Sequence, residues 1–191
     1  MKFRAFDLEG PLEILPRKIE DERGYFCETF RQSIFVEKVG PVAFVQDNES
    51  FNIAAGTIRG IHFQIDPSAQ GKLIHCTAGR ILDIAVDLRS GSSTYGQWIG
   101  TELTAALGNQ LWIPVGFGHA YCTLEPNSIV SYRVTAYYDA AADKGVAWDD
   151  PDIAIDWPAI ADPSTLSRKD LQQPSLADLP SYFSKAAYSC G

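Results

Sequence analysis

The sequence predicts an all-β fold: a β-sandwich or barrel, the jelly roll foremost, with a few short peripheral helices that are mostly C-terminal. Three observations carry this. First, period-2 alternation dominates up to about residue 160. In "RILDIAVDL", Leu82, Ile84, Val86 and Leu88 alternate with Asp83, Ala85 and Asp87. Second, turn clusters ("DPSAQG", "SGSSTYG", "PVGFG", "EPNS") separate the apolar runs at short intervals. Third, helical periodicity is sparse. Many short strands at such spacing argue for two packed sheets.

Taken in order, "DERGYFCETF" (21–30) reads as a solvated turn and an edge strand, and "SIFVEKV" (33–39) as a short helix. "FVQDNESFN" (44–52) reads as a loop rich in Asx turns, although with its neighbours it could also pair across a sheet edge. "GTIRGIHFQ" (56–64) reads as a buried strand. Strands follow at "RILDIAVDL", "QLWIPV", "HAYCTL" and "SIVSYRVTAYY". From about Asp162 the text is polar and broken by Pro163, Pro174 and Pro180, which predicts short helices packed outside the sheets. "SRKD" (167–170) fits a capping box that starts a helix at Ser167.

A chain of 191 residues with 46% hydrophobic content suits one domain. That domain spans 1–191, with a core at about 5–160 and a helical segment at about 162–191. The net charge of −8 argues against nucleic acid and anionic membranes as partners. No apolar run is long enough to cross a bilayer, and "MKFRAFDLEG" lacks a signal-peptide core. The expected location is the cytoplasm. Cys27, Cys76, Cys122 and Cys190 form no CxxC pair and read as reduced thiols, Cys190 at the exposed end.

The chain has three histidines. His62, His75 and His119 stand alone, with no HxH or HExxH spacing, so no metal site is expected. His75 reads as a core or surface residue. His62 lies near Arg59, and His119 follows the Gly-rich turn "PVGFG", so these two are the candidates for chemistry. Strict alternation aims Arg59 and His62 at opposite faces. Either Gly60 marks a bulge that re-aims one of them, or Arg59 precedes the strand proper.

Seven strings then occur in register: "DERGYFCETF", "VQDNESF", "GTIRGIHFQ", "QGKLIHCTAGRILDIAVDLR", "LWIPVGFGHAY", "YRVTAYY" and "WDDPDIAIDWP". Together they resemble the dTDP-4-dehydrorhamnose 3,5-epimerase family over about residues 5–175. The resemblance implies a cupin-like jelly roll, without cofactor, usually a homodimer, acting on a dTDP-linked 4-keto-6-deoxy sugar. It implies His62 as the base, Asp170 as its hydrogen-bond partner, Tyr132 as the acid across the sugar, and Lys72 at the 4-keto oxygen. It also implies Arg23, Arg59 and His119 on the sugar nucleotide, chiefly its diphosphate. Glu28, Gln46 and Asn48 would recognise the nucleotide and Tyr138 would stack on thymine, with Asp143 and Lys169 also among the binding residues.

The residue types suit the chemistry. Removing a proton alpha to a ketone calls for a base that titrates near neutrality, as imidazole does. A carboxylate can fix its tautomer. The enolate places negative charge on an oxygen that a lysine can stabilise, and a phenol is protonated at neutral pH. Arginine forks suit phosphates and reverse the chain's negative field locally. The chain departs from the family where His commonly follows "QDN", here Glu49, and where Glu is frequent, here Asp143. Rival readings are a 3- or 5-epimerase on a related nucleotide ketosugar, a ketoisomerase on the same fold, a non-catalytic sugar-binding jelly roll, and a metal-dependent oxygenase. The product could feed a surface polysaccharide or a secondary metabolite.

Overall fold

The alternation becomes two antiparallel sheets packed face to face. The computed structural model describes residues 1–188; Cys190, expected at the exposed end, lies outside the described residues. The strands are Lys2–Ala5 (β1), Leu12–Leu15 (β2), Lys18–Asp21 (β3), Gly24–Cys27 (β4), Gln46–Asn52 (β5), Ile58–Gln64 (β6), Lys72–Ala78 (β7), Arg80–Asp87 (β8), Arg89–Ser90 (β9), Trp98–Thr104 (β10), Gln110–Ile113 (β11), Phe117–Thr123 (β12), Ser128–Val134 (β13), Asp143–Gly145 (β14) and Phe183–Ser184 (β15). One helix, Gln32–Val39 (α1), falls where "SIFVEKV" predicts it.

One sheet runs β1-β2-β11-β7-β13-β5 and the other β10-β8-β12-β6-β14. The core between them joins Ile74, Cys76, Leu111, Ile113 and Val130 of the first to Ile81, Ala85, Leu103 and Tyr121 of the second. Both outer faces are also covered over part of their area. Phe35 of α1 packs with Ile14, Leu73 and Trp112 on the six-stranded sheet. Val146, Ile153, Leu176 and Phe183 pack on Ile61, Ile84 and Val86 of the five-stranded sheet. This double cover explains why Asp83 and Asp87 are both fully buried although the alternation of "RILDIAVDL" alone suggests a wet face.

Three expectations need correction. "QDNESFN" is the edge strand β5, paired with β13 over seven residues, and not a loop. From Gln46 to Phe51 its side chains alternate between half-buried and exposed, as an edge strand allows, and Asn52 is buried. Phe117 and Gly118, assigned to a turn cluster, begin β12. The C-terminal segment folds as turns and 3-10 pieces (Pro163–Thr165 and Asp170–Gln172) without α-helix among its described residues. The capping-box bonds do form: Ser167 N–H donates to Asp170 Oδ2 at 3.1 Å, and Asp170 N–H donates to Ser167 Oγ at 3.1 Å. The helix stops because Gln173 precedes Pro174 and is extended.

Candidate active site

The odd spacing of Arg59 and His62 is resolved by a bulge. Arg59 pairs with Tyr121 and His62 with His119, so β6 spends three steps where β12 spends two. Both side chains therefore reach the inner face. Gly60 makes this possible: its φ is +116°, and a Cβ there would lie 2.5 Å from the His119 carbonyl oxygen.

At this end of the sandwich a cavity of about 330 Å³ opens between the sheets, lined by Gln46, Asn48, His62, Gln64, Lys72, Tyr132, Tyr138, Asp143 and Lys169, among others. His62 comes from the five-stranded sheet, while Lys72 and Tyr132 come from neighbouring strands of the six-stranded one. The imidazole and the phenol thus stand on opposite walls.

His62 Nε2 lies 2.5 Å from Asp170 Oδ1. Asp170 is only 4% exposed, and its other oxygen accepts from Ser167 N–H and from Ser167 Oγ at 2.7 Å. The cap and the histidine use different oxygens and do not compete. Burial opposes ionisation of Asp170, but the bonds from His62 and Ser167 outweigh it and hold the carboxyl below the usual range.

Lys72 Nζ donates to the His62 carbonyl at 3.4 Å. Burial pulls its pKa down to about 8, against the charges of Asp143 and Asp83. Burial also pushes the Tyr132 phenol above its ordinary value, with Arg59 opposing, so it keeps its proton at neutral pH. Arg59 itself donates to Asn52 Oδ1 at 2.9 Å.

The cavity mouth is polar. Gln46 donates to Asn48 at 2.7 Å and accepts from Tyr138 N–H at 3.1 Å. Tyr138 OH donates to Asp143 at 3.2 Å, and Lys169 forms an ion pair with the same carboxylate. The Tyr138 ring is largely exposed and free to stack.

Four expected binding residues do not line this cavity: Arg59, turned to Asn52, together with Arg23, Glu28 and His119. Arg23 and Glu28 flank the exposed strand β4, where Arg23 bonds Asp21 and Glu28 bonds Arg31. His119 is buried beside His62, its Nε2 2.7 Å from Asp83 Oδ1. His75 and Glu49 line a separate hollow of about 360 Å³ that shares Asn48 and Tyr132 with the site.

Sequence reasoning missed Gln64, Ser167 and Asp83. Gln64 bonds the Ser68 and Tyr137 carbonyls and the Asp139 N–H, fixing the loop that carries Tyr138. Its place two residues after His62, on the same face, is the signal that could have found it. Among the described residues no three His, Cys, Asp or Glu side chains cluster to hold a metal, and no helix is long and apolar enough to cross a membrane.

A jelly roll with a histidine–carboxylate pair facing a half-buried tyrosine and lysine is equipped for proton transfer at a carbon acid. Comparison makes the class specific. Residues 5–178 match the family described as dTDP-4-dehydrorhamnose 3,5-epimerase. The chain is 49% identical over 183 residues to the dTDP-4-dehydrorhamnose 3,5-epimerase of Sinorhizobium fredii, covering 96% of this chain and 93% of that one. Its fold is similar to NovW, a 4-keto-6-deoxy sugar epimerase from the novobiocin gene cluster of Streptomyces spheroides, with TM-score 0.92, 35% identity, and coverage of 100% of this chain and 96% of that one. It is also similar to the Legionella pneumophila enzyme solved with dTDP-4-keto-L-rhamnose, with TM-score 0.87, 36% identity, and coverage of 93% and 94%. The chain belongs to the dTDP-4-dehydrorhamnose 3,5-epimerase family.

Proposed function

We propose that the chain inverts C3 and C5 of dTDP-4-dehydro-6-deoxy-D-glucose, giving dTDP-4-dehydro-L-rhamnose without a cofactor. The observation that carries this reading is the placement of His62 and Tyr132 on opposite sheets across one cavity. His62 removes the proton alpha to the ketone, and the C–H electron pair moves into an enolate whose charge falls on O4. The Lys72 ammonium meets that oxygen. Tyr132 returns a proton to the other face, and solvent then restores both groups. Asp170 holds the imidazole with its free nitrogen toward the sugar and stabilises the imidazolium. Arg59, Gln46, Asn48, Tyr138, Asp143 and Lys169 bind the nucleotide and its diphosphate.

Residues 1–191 act as one unit in this reading, because the C-terminal stretch supplies Asp170 to a site built on the strands. The working form is a homodimer. Arg23 and Glu28 lie outside their own cavity, beside Ile19, Tyr25 and Phe26, which are 58%, 58% and 71% exposed. A second copy gives this hairpin an apolar cover and brings Arg23 to a diphosphate. The free thiols of Cys27, Cys76 and Cys122 fit the cytoplasm.

The test is incubation with dTDP-4-keto-6-deoxyglucose in D₂O, followed by NMR. Deuterium at both C3 and C5, with L-configured product trapped by a reductase, is the expected result. Deuterium at C3 alone would mean a 3-epimerase. Binding without exchange at either carbon would overturn the reading.

A further inference from the structure

One group near the site has no role in that mechanism. Asp83, in β8, is fully buried. Its Oδ1 accepts from His119, and its Oδ2 is buried with no hydrogen-bond partner among the described residues. A half-satisfied carboxylate inside a protein core is expensive unless a nearby cation offsets it. We propose that Asp83 is a positioning residue, the buried counter-charge that holds the Lys72 ammonium at the reaction centre while orienting His119.

The groups around Lys72 favour this assignment. Asp143 acts on it from β14, Asp83 from β8, and Lys169 opposes from the C-terminal segment. His119 faces it from β12, and the His62 carbonyl accepts its hydrogen bond from β6. Asp143 has the larger effect on Lys72. Yet it sits at the mouth, already bonded to Lys169 and Tyr138, where an arriving nucleotide rearranges partners. Asp83 is sealed behind the cavity, so its charge acts on Lys72 throughout the cycle. The same interaction runs in reverse: burial raises the Asp83 carboxyl on balance, and the charges of His119 and Lys72 oppose that rise without cancelling it.

The inference rests on Lys72 meeting the 4-oxygen, and its test has two arms so that the two can fail separately. Asp83→Asn keeps the shape and can still accept from His119. Its kcat–pH profile should lose activity at least about one pH unit earlier on the alkaline side than the parent, with KM within about threefold. An equal loss of kcat at every pH would mean a structural role only and overturn the proposal. The second arm needs no turnover. In denaturant, Asp83→Asn should lower the midpoint of the parent but raise that of Lys72→Met, where the carboxylate has lost its cation. If Asp83→Asn alone does not fold, Lys72→Met against the double variant decides; if Lys72→Met does not fold, its rescue by Asp83→Asn is the expected result. Destabilisation in both backgrounds refutes the counter-charge.

Discussion

Asp170→Asn isolates the most specific contact in the site. The carboxylate serves two masters: Oδ1 meets His62 Nε2 at 2.5 Å, and Oδ2 accepts from Ser167 N–H at 3.1 Å and Ser167 Oγ at 2.7 Å. An amide has one accepting oxygen. Two donors on Ser167 compete for it against one on His62, so the oxygen turns to Ser167 and the NH₂ turns to the imidazole. Nε2 must then accept, which moves the ring proton to the nitrogen that faces the sugar. The base is lost as a tautomer while the ring stays in place. The corresponding change beside a catalytic histidine in other enzymes lowers kcat about 10⁴-fold. Here a loss of about 10³–10⁴ is expected, or about 4–5.5 kcal/mol in the barrier. Deuterium incorporation at C3 and C5, followed by NMR with KM measured in parallel, reads this directly. KM should change little, because Asp170 lies behind the imidazole. A variant that keeps kcat within about tenfold of the parent, with its fold intact, refutes the orienting role.

Other consequences follow from the same geometry. Tyr132→Phe removes the acid on the far wall and leaves the base, so exchange at C3 should persist while inverted product falls about 10²–10⁴-fold; equal loss of both would assign Tyr132 elsewhere. Lys72→Met should lower kcat about 10²–10³-fold by removing the charge at O4, and retained kcat would exclude that contact. In the parent, activity should fall as pH rises through about 8, because burial has moved the Lys72 deprotonation there and the neutral amine no longer stabilises the enolate; a profile flat to pH 10 contradicts this. Gly60→Ala forces a Cβ to 2.5 Å from the His119 carbonyl at a φ of +116°. It should cost about 2 kcal/mol or more in denaturant unfolding and remove activity, since the bulge sets where His62 points.

Much of this was legible in the sequence because strands declare themselves locally. Alternation and turn residues gave the sheets, and "SIFVEKV" gave α1. The bulge at Gly60 was foreseeable from an odd spacing between two polar residues on one strand. What stayed hidden depended on long-range partners. "QDNESFN" is polar enough to read as a loop, and only its pairing with β13 makes it a strand. Asp83 looks solvated by alternation, and only the second sheet buries it. Nothing local says that the described chain from Asp170 to Tyr188 turns without making an α-helix after its capping box, because the box and Pro174 each act over only a few residues.

The position of Asp170 explains why a box without a helix suits this fold. A helix running from Ser167 would make the same cap bonds but carry the chain onward along its own axis. Here the turn ends after Gln172, and Leu176 and Phe183 anchor the chain beyond it on the outer face of the five-stranded sheet. Leu176 N–H is also held at 2.7 Å by Asp150 Oδ2. The segment is thus fixed from both sides, by Ser167 before Asp170 and by apolar burial after it. A carboxylate held this way loses little freedom when it meets the imidazole, which is what an orienting group requires. It also follows that loosening the anchor, for instance with Leu176→Ala, should raise the mobility of Asp170 and lower kcat before it unfolds the strands. Equal loss of turnover and global stability would place the anchor in the core instead.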